Sequence, residues 1–136
     1  MDLLETLTKE LGAVAVLTGA DVEEKSQGAW APMGTPLAII RPANTQEVSR
    51  VMELAHAAGQ SVIAWGGKTG LVEGGHADGE LALSLERLNE IESIDPIGGT
   101  MSVQAGVPLQ KVCEAAEGAG FFFTRDCGER GSGTFG

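Results

Sequence analysis

The stretch SVIAWGGKTGLVEGG, residues 61–75, decides how this chain folds. Its first five residues suit a buried strand, and a glycine-rich loop follows at once. Gly67-Lys68-Thr69 look like the end of a nucleotide-binding P-loop. That motif needs a glycine five residues before its Gly-Lys pair, because the loop wraps phosphates along its whole length. Here the position is Val62, inside the strand. A P-loop also needs a helix after the threonine. Gly70, Gly74 and Gly75 follow instead, and glycine is a poor helix residue. Nor do Gly66, Gly67 and Gly70 have the G-x-G-x-x-G spacing of a dinucleotide fingerprint. What remains is a glycine loop between two strands. Such a loop brings backbone close to a ligand and lines up N–H groups into an anion nest. A long hairpin turn has the same composition, and glycine content alone leaves both open.

Upstream, PLAIIRP (36–42) is a short apolar run between prolines and reads as a buried strand. Asn44 caps a helix with Glu47 three residues on, and Val48, Val51, Met52 and Ala55 form its buried face. Gly59 stops it. Strand, helix and the strand at 61–65 then predict a parallel pair joined by a crossover. Before this unit, Asp2 and Glu5 form a capping box opening a short helix that Gly12 ends. Residues 18–35 read as an irregular connection.

Downstream, Leu81, Leu83 and Leu85 alternate with Ala82 and Ser84, and Met101, Val103 and Ala105 with Ser102 and Gln104. These two strands are expected to pair antiparallel, with Asp95-Pro96 and Gly98-Gly99 as turn residues between them. Pro108 begins a helix with the stripe Leu109, Val112, Cys113 and Ala116, ended by Gly118 and Gly120. GFFF (120–123) reads as a short buried strand, and TRDCGERGSGTFG is a second glycine loop. The class is α+β, with a β-α-β unit, a mixed sheet and flanking helices.

Composition narrows the function. The 136 residues suit one domain, and 9 basic against 19 acidic residues give a net charge of −10. Nucleic-acid affinity rests on Lys and Arg neutralising phosphates, so no nucleic-acid or anionic-membrane role is expected. A single dinucleotide is not, since backbone N–H groups hold phosphate without side-chain charge. Cys113 and Cys127 are far apart and read as reduced thiols of a cytoplasmic protein, with membrane association only through partners. No metal site is expected: His56 reads as a surface residue at a helix end, and His76 has no second histidine or cysteine at ligand spacing.

RPANTQEV (41–48) followed by GGKTGL (66–71) resembles the opening of a PCMH-type FAD-binding domain of the vanillyl-alcohol oxidase superfamily. The D-2-hydroxyacid dehydrogenase branch, which includes D-lactate and D-2-hydroxyglutarate dehydrogenases and the FAD-linked glycolate oxidase subunit, is the most similar. LSLERLNEI (83–91), VQAGVPLQKV (103–112) and DCGERGSGTFG (126–136) continue the match in order. The last departs from the family's Cys-Thr-Ile-Gly-Gly-Asn.

The resemblance implies that residues 1–35 lead into the N-terminal, incomplete portion of an FAD-binding domain at 36–136. It implies that the backbone from Trp65 through Gly66, Gly67, Lys68, Thr69, Gly70 and Leu71, with Gly74, holds the FAD pyrophosphate. Gly106 would lie near the adenine. Asp126, Ser132, Gly133 and Thr134 would close over the cofactor, with hydroxyl bonds from Ser132 and Thr134. Relatives with histidine at the Lys68 position link flavin covalently, so FAD is expected to be non-covalent here. Lys68 either aids phosphate binding or is a solvated loop lysine. Glu73 would repel the diphosphate, and Arg125 and Arg130 are either offsets or plain loop charges. The implied reaction is hydride transfer from a D-2-hydroxy acid to flavin N5, with a separate electron acceptor. No catalytic residue is assignable, and the chain alone is expected to be inactive and to hold FAD weakly or not at all. A missing C-terminal part or partner chain would complete the site, and an open sheet edge offers a homodimer surface. The alternatives are a free-standing small binding domain or a P-loop-like module.

Overall fold

Asp2 opens the first helix, α1 (Leu3–Leu11), through a capping box in which Glu5 accepts from the Asp2 N–H at 3.4 Å. The computed structural model describes residues 1–125, 128 and 130–135. Gly12 caps α1 at φ +93°, and a two-residue strand, β1 (Val16–Leu17), follows. The expected irregular connection contains a six-residue helix, α2 (Ala20–Lys25), anchored by buried Val22.

The apolar run between the prolines is strand β2 (Ala38–Ile40), buried at all three positions. Asn44 then accepts from the Glu47 N–H at 2.9 Å and starts α3 (Thr45–Ala57). Val51 and Ala55 are buried as expected, but Met52 is exposed. The buried face is narrower than the sequence stripe. Strand β3 (Val62–Trp65) and strand β4 (Leu81–Ser84) complete a sheet of order β1-β2-β4-β3.

Two pairing expectations are corrected here. Strands β2 and β3 are parallel in direction but not neighbours, because β4 lies between them and pairs parallel with both. Nor does β4 pair with the Met101 strand. That strand, β6 (Thr100–Val103), pairs antiparallel with β5 (Ile91–Asp95), a segment expected to be connecting turn. Complete burial of β4 explains its central place, since a strand covered on both faces belongs inside a parallel sheet.

Side chains alternate across this sheet. Ala38, Ile40, Leu81 and Leu83 pack with Leu7, Val51 and Ala55 under α1 and α3. On the opposite face Ile39, Trp65 and Ala82 pack with Val22, Met33 and Ala77. Helix α4 (Leu109–Gly118) buries Leu109, Val112, Cys113 and Ala116, the expected stripe. Its first N–H groups have no side-chain cap. Leu109 and Gln110 donate instead to the carbonyls of Gly133 and Arg130, which lays the tail along the helix start. Phe121–Phe123 form no strand, and Phe122 is 76% exposed.

Candidate cofactor site

The carboxyl ends of the three parallel strands β2, β4 and β3 lie together, where ligands bind in open α/β sheets. The glycine loop leaves β3 at this end. No helix follows Thr69; the loop runs through bends to a single 3-10 turn at Glu73–Gly75. Trp65 closes β3 with its ring buried and its Nε1–H donated to the Gly75 carbonyl at 2.6 Å. The loop is thereby folded back on itself.

Gly67 shows why a side chain cannot stand there. A Cβ at Gly67 would sit 1.9 Å from the Ser132 carbonyl oxygen. The two glycine loops therefore touch backbone to backbone. This contact lies between two clefts. The larger, about 520 Å³, is walled by Trp65, Gly66, Gly67, Lys68, Thr69 and Gly70 on one side and by Gly133 and Thr134 on the other. The smaller, about 390 Å³, joins Gly66–Lys68 to Gly106, Ser132, Glu86, Asn89 and Lys111. Gly106 approaches closely too, with the site of a Cβ 1.8 Å from the Leu85 carbonyl oxygen.

Most of the expected site residues thus come together. Leu71 and Gly74 do not: Leu71 is 80% exposed, and both stand outside the two clefts. Asp126, like Cys127, lies outside the described residues. Glu73 is exposed and lines neither cleft, whereas Arg125 lines the larger. Sequence reasoning did not single out Met33, Phe123 and Phe135, which supply apolar wall. The Phe123 and Phe135 rings meet at a tilt, with centroids 5.5 Å apart and planes at 55°. Only the Phe135 position, inside GSGTFG, carried a local signal.

The N–H groups of Gly66, Gly67, Lys68, Thr69 and Gly70 donate to no acceptor among the described residues. Five consecutive unused donors on a cleft wall suit a diphosphate, and the adjacent apolar surface suits aromatic rings. The residues present therefore fit FAD.

Lys68 is not a solvated loop lysine. Its backbone is left-handed at φ +56°, which costs a non-glycine residue roughly 1 kcal/mol. Its Nζ donates to the Lys25 carbonyl and lies 5.3 Å from the centre of the Trp65 ring. Burial pushes the ammonium below the usual lysine range; Glu86 opposes this and Lys25 adds to it. Glu86 itself pairs with Arg41 at 3.1 Å and with Lys25 at 3.4 Å. His76 is exposed, with Nδ1 3.3 Å from the Pro32 carbonyl oxygen. Among the described residues no three His, Cys, Asp or Glu side chains form a metal-binding group, and no helix is long and apolar enough to cross a membrane.

The family model described as FAD binding domain matches residues 36–136. The chain belongs to the FAD-binding domain family. FAD is the cofactor of this domain. A D-2-hydroxyglutarate dehydrogenase of Xanthomonas citri pv. viticola is 43% identical over 108 residues, covering 79% of this chain and 22% of the relative. The mitochondrial D-2-hydroxyglutarate dehydrogenase of Bos taurus is 32% identical over 100 residues, covering 73% and 18%. This FAD-binding domain chain thus spans about a fifth of the length of the curated relatives it matches. Among solved structures, alkyldihydroxyacetonephosphate synthase superposes with a TM-score of 0.87 at 17% identity, over 98% of this chain and 30% of the other. The fold is that of PCMH-type FAD-binding domains.

Proposed function

We propose that this chain is the pyrophosphate-holding part of a flavin-dependent dehydrogenase acting on a D-2-hydroxy acid. The five N–H groups of Gly66–Gly70, which donate to no acceptor among the described residues and stand on the cleft wall, carry this reading. The dehydrogenases named among the relatives support the substrate class. FAD, when bound, would supply a hydride acceptor for the oxidation of the hydroxy acid.

The chain's own residues bind and orient. The N–H groups of Gly66–Gly70 would hold the diphosphate, with Ser132 and Thr134 of the second loop on the facing side of the clefts. Gly106 backs the cleft that takes the adenine side. Trp65, Met33 and Phe135 keep water from the apolar wall. The loop holds no histidine at the Lys68 position, which supports non-covalent binding. Residues 1–35 act as a lead-in to the domain at 36–136. The proton-accepting base and the carboxylate-binding groups come from further polypeptide, continuous or in a partner chain, and a separate acceptor reoxidises the flavin. Among the described residues strand β3 has a neighbour on one side only, which makes this edge the candidate dimer surface. A cytoplasmic setting suits this reading.

Half a clasp holds its ligand weakly. The purified chain should be colourless, bind added FAD reversibly with a roughly millimolar Kd, and leave it oxidised when D-2-hydroxyglutarate is supplied. A stoichiometric flavin spectrum in the purified protein overturns the weak retention. Bleaching of the flavin by the hydroxy acid overturns the dependence on further polypeptide.

A further inference from the structure

The Lys68 side chain has no role in the reading above, yet it is tightly held. Two bonds tie it to one short upstream segment. Its Nζ donates to the carbonyl of Lys25, the last residue of α2, and its own carbonyl accepts from the Ala29 N–H at 3.0 Å. The ammonium also lies over the Trp65 ring, which is itself locked to Gly75. The same upstream segment reaches the cleft: Met33 lines it, and the Met33 Cε approaches within 3.0 Å of where a Gly75 Cβ would stand. Lys25 in turn pairs with Glu86, on the floor of the second cleft. All of residues 25–33 lie upstream of the matched domain, which begins at 36.

We propose that Lys68 is a positioning residue that rivets the glycine loop to residues 25–29, fixing the Gly66–Gly70 amides before any cofactor arrives, and that residues 25–33 are therefore part of the cofactor site. The left-handed backbone at Lys68 is held by bonds at both ends of the residue. An ammonium already bonded to a carbonyl and set against an indole face is occupied within the protein, so its contribution to binding is geometric. Preorganised donors bind more tightly because their ordering is complete in advance. This inference rests on the reading of those amides as the diphosphate site.

The test uses ¹⁵N relaxation and amide exchange on the ligand-free chain, with FAD titrated separately. Lys68→Met keeps the stem and the backbone strain but removes the donor and the charge. Order parameters at Gly66–Gly70 should fall from rigid values near ~0.85 to below about 0.6. Exchange at the Ala29 amide should quicken about tenfold, and FAD affinity should fall by a similar factor. Lys68→Arg restores a cationic donor and should regain most of both. Ala29→Pro removes the other bond and should loosen the loop with Lys68 intact. If Lys68→Met leaves the ligand-free loop as rigid as before while FAD affinity drops, Lys68 is a direct phosphate ligand and the proposal fails. It fails as well if loop motion and affinity are both unchanged. Should no variant or parent bind FAD, the assignment of the amides is lost, while the ligand-free measurements still decide whether the rivet exists.

Discussion

Gly67 and Gly106 show how single residues set the site. Each is a place where two backbones touch, and a methyl group would fall within 2 Å of a carbonyl oxygen. Gly74 has open space around it and no left-handed backbone. Urea unfolding should therefore separate them. Gly106→Ala is expected to cost about 2 kcal/mol or more, as overpacking does, whereas Gly74→Ala should be neutral or stabilise by about 0.5 kcal/mol. Equal effects at the two positions would mean the close approach at Gly106 is not real. Gly67 and Gly74 were legible in the sequence as members of a cluster and Gly106 as part of a separate motif, but their individual jobs were not. Gly67 meets Ser132, and Gly106 meets Leu85, only after the chain has folded. The same holds for Met33 and for the Lys25 carbonyl, which no local pattern links to residue 68.

At the scale of elements, α1, α3 and α4 carry local sequence signals, whereas α2 and the strand pairing do not. Asn44 and Glu47 announce α3 by local chemistry, and Leu109, Val112, Cys113 and Ala116 announce α4 by their period. Strand order is set by contacts distant in sequence, so nothing near Leu81 reveals that β4 separates β2 from β3. Strand β5 was missed because Glu92, Ser93 and Asp95 are polar and exposed, which leaves only Ile91 and Ile94 as apolar marks. The β5–β6 hairpin yields a pH prediction. The Asp95 carboxylate accepts from the N–H groups of Gly98 and Ile97, and these hold its pKa below the usual aspartate range. A lowered folded-state pKa gives stabilisation that is present above about 3.9 and is lost as pH falls through the lower folded value. The Ile97 and Gly98 amide resonances should move together in acid with a midpoint below that of a free aspartate, and Asp95→Asn should abolish the movement. Helices α1 and α3 offer a second contrast. Leu7, fully buried between them and the sheet, should cost about 2–5 kcal/mol as Leu7→Ala. Arg50 clasps Glu10 across the same helices in the open, and Arg50→Ala should barely move the unfolding midpoint, least of all in high salt.

At the scale of the whole molecule, an acidic chain of net charge −10 belongs to a family that takes a dianionic diphosphate. The backbone reconciles the two, because N–H groups carry positive potential without adding cationic side chains. The architecture places those groups at the carboxyl ends of the parallel strands, with residues upstream of the matched domain folded against them. The central claim is that the Gly66–Gly70 amides take the FAD diphosphate. Titration of the ¹⁵N-labelled chain with FAD, and in parallel with ADP, tests it most directly. Saturable shifts should concentrate at Gly66–Gly70 and at Ser132–Thr134, shared by both ligands, while the exposed face of α3 stays still. If millimolar FAD leaves the Gly66–Gly70 amides unmoved, or moves a different surface, the account is wrong.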